Sequence, residues 1–188
     1  MLFDHKTKPP AYQEDLANLK ITGARLGDTL SVSGAAADFS DVDFTVDRWN
    51  QYEAGNRRWV ELSGMWRDRR VFLEVHNAET TTVLGNFDGR TITLDELGVS
   101  EDDLAQMDQR QNPADFFDYN DKFWLFRFSR EVGVFRTGDT TGRGFYSWQF
   151  QEQDAQRFLS IRKFQNEPFT ASLWVHIDPA DITVFRST

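Results

Sequence analysis

The chain has 188 residues, of which 39% are hydrophobic and 14% aromatic, a composition typical of a soluble globular protein. The formal net charge is −9, with 21 Lys and Arg against 30 Asp and Glu. This acidity argues against nucleic-acid binding, because a polyanion requires neutralising cations. Cysteine is absent, which excludes disulfides, thiolate metal sites and a cysteine nucleophile.

The first segment in chain order, residues 1–19, is predicted to be an N-terminal arm. Its first ten residues contain no apolar run and end in Pro9-Pro10. No part of the chain has the apolar stretch of a secretory signal or of a membrane helix. We therefore expect a cytoplasmic protein without a membrane span.

Residues 20–94 are predicted to form a first β unit, because apolar and polar residues alternate there with period two. The clearest strand lies at 41–47, where Val42, Phe44 and Val46 share a face and aspartates occupy the other. A second clear strand lies at 70–76, where the apolar residues again fall on one face.

Residues 95–121 are predicted to be an acidic, short-helical connector between two β units. Ser100 followed by Asp103 has the spacing of a capping box, with Asp in place of the usual Glu, and this predicts a helix start. Pro113 predicts that the helix ends before it.

Residues 122–188 are predicted to form a second β unit. Between 145 and 150 the aromatic residues Tyr146 and Trp148 face one way and Ser147 and Gln149 the other. The last predicted strand, at 181–186, carries apolar residues on one face only.

The two β units align at an offset of 86 residues, which pairs Arg57 with Arg143 and Phe72 with Phe158. A chance alignment of two β-rich segments explains this similarity equally well. The predicted fold is mostly β, with two similar antiparallel units, each a small sheet or open barrel, packed together in one compact body. A few short helices complete it.

Strand patterns and a Gly-Asp turn recur in several stretches between residues 20 and 186. They are Leu26-Gly27-Asp28-Thr29-Leu30, Asp43-Phe44-Thr45-Val46, Tyr52, Trp59-Val60-Glu61-Leu62, Arg70-Val71-Phe72-Leu73-Glu74-Val75, Phe158-Leu159-Ser160-Ile161, Glu167-Pro168-Phe169 and Asp181-Ile182-Thr183-Val184. These stretches resemble the bacterial domain family of unknown function DUF4178. The resemblance implies a largely β fold, and it brings no established activity, cofactor or catalytic residue.

Residues 57–70 form a basic segment in an otherwise acidic chain. It carries five arginines and the tryptophans Trp59 and Trp66, against Glu61 and Asp68. Arginine forks suit carboxylate or phosphate ligands. The candidate contact surface is therefore Arg57, Arg58, Trp66, Arg67, Arg69 and Arg70. The alternative is that these arginines pair with the acidic surface of the protein itself.

Two histidines, His76 and His176, end predicted strands and are candidates for metal ligands. No sequence pattern requires a metal, a cofactor or a catalytic residue. The leading prediction is a non-enzymatic binding or scaffold module that recognises a protein or a small anionic partner. The alternative is a small-molecule or metal-dependent enzyme, hydrolase-like, whose cleft between the β units carries the two histidines with Glu74 and Asp178.

Overall fold

The computed structural model describes residues 18–153 and 157–186, so residues 1–17 of the predicted arm lie outside the described residues. The described chain contains twelve strands and two α-helices. The strands are β1 (Thr29–Val32), β2 (Val42–Thr45), β3 (Arg48–Ala54), β4 (Arg57–Trp66), β5 (Arg69–Asn77), β6 (Thr81–Asn86), β7 (Phe116–Tyr119), β8 (Lys122–Phe135), β9 (Arg143–Glu152), β10 (Arg157–Phe164), β11 (Thr170–Ile177) and β12 (Ile182–Phe185). The helices are α1 (Leu94–Leu97) and α2 (Glu101–Arg110).

Eight of these strands close into one antiparallel β-barrel. Strands β3 to β6 form one meander of consecutive neighbours, and strands β8 to β11 form a second. The meanders join where β3 pairs with β8 and where β6 pairs with β11. Each joint is short, with three residue pairs: 51–53 against 133–135, and 83–85 against 175–177. Strand β7 extends the sheet beyond β8, outside the closed ring.

A separate three-stranded sheet, in the order β12-β1-β2, covers the outside of the first meander. Its buried residues Leu30, Phe44 and Val184 share one apolar cluster with Leu62 and Leu73 of the barrel. Strand β12 comes from the predicted second unit and yet pairs with β1 of the first. The apolar faces predicted at 41–47 and 70–76 therefore meet each other across this interface.

The contact between sheet and barrel is closest at Gly64 of β4. A Cβ atom placed there would lie 2.1 Å from the carbonyl oxygen of Thr45 and 2.8 Å from the ring of Phe44. Atoms at such distances overlap, so only a residue without a side chain lets β2 approach β4 this closely.

Helices α1 and α2 and strand β7 cover the outside of the second meander. Leu97 and Leu104 of the helices and Phe117 of β7 pack with the outward face of β9, including Trp148 and Phe150. Both α-helices of the described chain fall short of what spanning a lipid bilayer requires.

Because both outer faces are covered by apolar clusters, the alternate residues of the barrel strands point into its interior. Many of these residues are polar. Ser147 and Gln149 of β9 and Glu74 of β5 line a cavity inside the barrel. The side that periodicity marks as polar is thus the inside of the barrel.

The structure confirms the prediction of a mostly β fold with few helices. The two predicted units are not two packed sheets, since their strands are hydrogen-bonded edge to edge in a single ring. Their similarity to each other stays a prediction.

The capping box predicted at Ser100 is confirmed, and it starts helix α2. The Ser100 hydroxyl accepts a hydrogen bond from the backbone N–H of Asp103 at 3.1 Å, and the Asp103 carboxylate accepts one from the Ser100 N–H at 2.9 Å. We expect Ser100→Ala to lower the free energy of unfolding by about 1 kcal/mol, because the first turn loses a partner for its N–H. Urea denaturation measures this loss. The exposed Ser33 supplies the control Ser33→Ala, and equal losses in both variants would contradict the assignment.

Candidate functional site

A cavity of about 180 Å³ lies inside one end of the barrel. Side chains from six strands, β4, β5, β6, β8, β9 and β10, line it. Its aromatic walls are Trp59, Phe128, Phe145 and Phe158. A second interior cavity, of about 170 Å³, lies toward the opposite end, and Arg162 lines both.

Arg162 is the centre of a buried ion-pair cluster between the two cavities. Its guanidinium lies 2.6 Å from the Glu74 carboxylate and 3.7 Å from that of Glu61. Glu61 also accepts hydrogen bonds from Asn50 and from the Tyr52 hydroxyl, each at 3.1 Å. The cluster joins the two meanders across the interior, because Arg162 belongs to the second and its partners to the first.

At each of the two glutamates, burial and the charge of Arg162 have opposite effects on the pKa. Burial raises the pKa of Glu61, more than the charge of Arg162 lowers it. Burial would also raise the pKa of Glu74, but the hydrogen bond to His76 and the charge of Arg162 outweigh it and lower that pKa. Glu74 is therefore the more firmly ionised of the two carboxylates. Desolvation would lower the pKa of Arg162, and the negative groups around it raise it instead.

His76 lies at the rim of the first cavity, with 34% of its side chain exposed. Its Nε2 atom is 3.4 Å from the Glu74 carboxylate. The imidazole stacks on Trp59 with ring centroids 5.3 Å apart, and Tyr52 stacks on Trp59 at 5.5 Å. These three rings belong to neighbouring strands β3, β4 and β5, so their spacing follows from cross-strand pairing.

Arg130 lines the same cavity from β8. Its guanidinium carbon lies 4.5 Å from the ring centroid of Phe128 and 5.4 Å from that of Trp59. Burial and the nearby charge of Arg57 lower the pKa of Arg130. Within residues 18–153 and 157–186, no carboxylate lies within ion-pair distance of it.

Two buried donors at this cavity lack a hydrogen-bond partner: Nε of Arg130 and Nε1 of Trp59. Unpaired buried donors are uncommon in folded proteins, because desolvation without a compensating bond is unfavourable. The described part of the chain offers no other buried side-chain nitrogen or oxygen in this state. Both exceptions therefore fall in one place, on adjacent side chains of the cavity wall.

The predicted contact surface is divided between the two ends of the barrel. Arg57 and Arg58 begin β4 and Trp66 ends it, so about 30 Å of extended strand separates them. Only Arg57 lies close enough to the cavity to act on Arg130. A single contact surface of all six residues does not form.

The arginines at the far end have carboxylate partners. Arg67 lies 3.4 Å from Asp38 and its guanidinium covers the ring of Trp66 at 4.2 Å. Two further pairs complete this end: Arg69 with Asp68 at 3.2 Å, and Arg70 with Asp47 at 2.5 Å. At the other end Arg58 pairs with Glu53 at 3.1 Å. The alternative interpretation, pairing with the protein's own acidic residues, fits these four arginines.

The two candidate histidines belong to different strands on either side of β6. His176 is exposed and lies opposite Leu84 in the register, whereas His76 lies opposite Thr82. Asp178 accepts a hydrogen bond from the backbone N–H of Ala180. In the described ranges, no three His, Cys, Asp or Glu side chains gather closely enough to hold a metal ion. Of the residues proposed for an enzymatic cleft, His76 and Glu74 line the cavity and the other two do not.

Sequence reasoning missed Arg130 and Arg162. Each is a charged residue within a strand, on the face opposite the apolar one: Arg162 follows the buried Ile161, and Arg130 precedes the buried Val132 by two positions on the interior face. A charge at the middle of a strand whose other face is apolar could have marked them.

Comparisons of the chain with family models, with curated proteins and with solved structures find no match.

Proposed function

We propose that this protein is a non-enzymatic binding module that holds a small organic anion in the cavity lined by Trp59 and Arg130. The observation that carries the proposal is the Arg130 guanidinium, which is half-buried, lines the cavity and has no carboxylate partner among the described residues. An anionic oxygen would supply the missing partner, and arginine is well suited to bind it.

The balance of charge inside the barrel supports an anion rather than a cation. Glu61 and Glu74 already share the cation Arg162. Arg130 adds a second positive charge, and Arg127 contributes another at the cavity wall. The chain as a whole is acidic, so this is a local reversal of sign that would favour entry of an anion.

The architecture is suited to such a role. Eight strands close into a barrel whose interior is just wide enough for side chains or for one small ligand. Fold alone does not establish function, and the proposal depends on Arg130 and the rings beside it.

Two further proposals concern the origin of the barrel: that its meanders are duplicated units and that the chain is related to DUF4178. The first is supported by the equal strand order of the two meanders and by β4 and β9, whose first and last residues are each 86 positions apart. The second is supported by the sequence resemblance alone. Neither affects the chemistry of the cavity.

Isothermal titration calorimetry with sodium acetate and sodium benzoate tests the binding proposal. We expect the protein to bind at least one of them and Arg130→Gln to bind it roughly 10- to 150-fold more weakly, because a charge-assisted hydrogen bond is worth about 1.5–3 kcal/mol. The exposed Arg136 supplies the matched control, since Arg136→Gln removes the same charge away from the cavity. Circular dichroism checks that both variants fold.

A second variant keeps the proposal testable if Arg130→Gln does not fold. Trp59→Phe keeps an aromatic ring in the wall and removes the unpaired indole N–H together with one of the two indole rings. It should also weaken binding. If neither anion binds the parent protein, or if Arg130→Gln and Trp59→Phe bind as well as Arg136→Gln, the proposed function is wrong.

A further inference from the structure

We infer that the ligand is a planar monocarboxylate with a single aromatic ring, of the size of benzoate. This inference rests on the proposed function and specifies its ligand class. Three properties of the cavity carry it: its volume, the chemistry of its walls and its charge.

The volume limits the ligand to one ring. A buried cavity of about 150 Å³ lined by apolar side chains accommodates benzene. The barrel cavity measures about 180 Å³, so one ring and one small substituent fill it. Sites for larger organic ligands usually occupy at least about 300 Å³, and a fused two-ring acid would therefore require the wall to move.

The walls favour a flat aromatic ring over a saturated one. Trp59 and His76 line the cavity and stack on each other with an interplanar angle of 17°. Phe128 and Phe145 line the same space. Aromatic pairs gain energy beyond that of buried area when they stack or meet edge to face, and a saturated ring cannot make these contacts.

The charged groups favour one negative charge on the ligand. Arg130 is a half-buried cation of the cavity wall without a carboxylate partner in the described chain, and its guanidinium carbon lies 5.4 Å from the ring centroid of Trp59. A carboxylate in the cavity would supply the guanidinium with an anionic partner. The ionised Glu74 lines the same cavity and would repel a second negative charge on the ligand.

The binding affinities of four related compounds for the full chain test the inference. Calorimetric titrations compare benzoate with cyclohexanecarboxylate, which changes ring character, with 2-naphthoate, which changes size, and with phthalate, which adds a second carboxylate. We expect benzoate to bind at least tenfold more tightly than each of the other three. Phe128→Leu, which replaces one aromatic wall, should reduce the preference for benzoate over cyclohexanecarboxylate, whereas Arg130→Gln should weaken both acids equally.

The outcomes separate this inference from the proposed function. Binding of cyclohexanecarboxylate as tight as that of benzoate, with both lost in Arg130→Gln, would leave the anion site standing and overturn the aromatic ligand class. If 2-naphthoate binds more tightly than benzoate, the size limit is wrong. If phthalate binds more tightly than benzoate, the limit to one negative charge is wrong. If no acid of the series and no acetate binds, both the inference and the proposed function fail.

Discussion

Replacing Arg162 with methionine should lower the free energy of unfolding by about 3–5 kcal/mol, because Glu61 and Glu74 would remain buried without their cation. Methionine keeps most of the aliphatic volume, so the loss reports the charge rather than a cavity. The guanidinium also lies between the rings of Tyr52, Phe145 and Trp174, at 5.5 to 5.7 Å from their centroids, and these contacts disappear with it. Urea denaturation followed by tryptophan fluorescence measures the change.

Two control variants identify the cause of the loss. Adding Glu61→Gln and Glu74→Gln to Arg162→Met should restore much of the stability, because no uncompensated charge then stays in the barrel. Arg90→Met breaks a surface pair with Glu96 and should change stability by about 1 kcal/mol or less. A triple variant no more stable than Arg162→Met would show that packing, and not charge, explains the effect.

The pH dependence of the Arg162→Met variant follows from the same argument. Without the cation, burial raises the pKa of Glu61 further above its ordinary value of 4.5, and the pKa of Glu74 rises because it loses one of the interactions that lower it. The folded state then holds protons that the unfolded state releases, so stability falls as pH rises above that value. The difference between the parent protein and the variant should therefore be smaller at pH 5 than at pH 7.5.

Gly64→Ala should destabilise the protein by about 3 kcal/mol, at the upper end of what one added methyl group in a packed site usually costs. The new methyl group would overlap the Thr45 carbonyl oxygen, and backbone on β2 yields less readily than a flexible side chain. The three-stranded sheet would have to move away from the barrel. At roughly 2–4 °C per kcal/mol for a chain of this size, the midpoint of thermal unfolding should fall by about 6–12 °C.

The matched control for this prediction is Gly144→Ala on β9. A Cβ atom at Gly144 would meet nothing within 4 Å, and the backbone there is not in the left-handed region. Its thermal midpoint should stay close to that of the parent protein. Equal effects of the two substitutions would mean that loss of glycine, rather than close approach of the sheet, explains the result.

The sequence predicts the strands well but not which face is inside. In 145–150 the alternation separates Trp148 and Phe150 from Ser147 and Gln149, and the structure keeps that separation. Periodicity carries no information on whether a polar face meets water or the interior of a barrel. The three-stranded sheet and the helices form a second apolar layer outside the barrel. The apolar face of each barrel strand therefore points outward to this layer, and the polar face points into the barrel. Closure into one ring depends on pairs such as Tyr52 with Val134, which are distant in sequence.

The candidate site is less predictable, because it is assembled from separate strands. The basic segment at 57–70 is compact in sequence, yet an extended strand moves its two ends far apart. Arg130 and Trp59 are 71 positions apart in the chain and become neighbours only when β8 pairs with β3. Arg130 and Trp59 stand out because each has a buried nitrogen without a hydrogen-bond partner. No local sequence pattern predicts which buried donors stay unpaired.

The two joints between the meanders are short, so the buried ion-pair cluster contributes to holding the meanders together. Each meander is held together by long ladders, whereas three residue pairs hold it to the other at either joint. A groove of about 430 Å³ runs along the joint of β3 with β8. Arg162 adds a buried contact between the two meanders, because it reaches from one of them to Glu61 and Glu74 of the other. Loss of these ion pairs would therefore weaken the contact between the two meanders as well as leave two carboxylates buried without their cation.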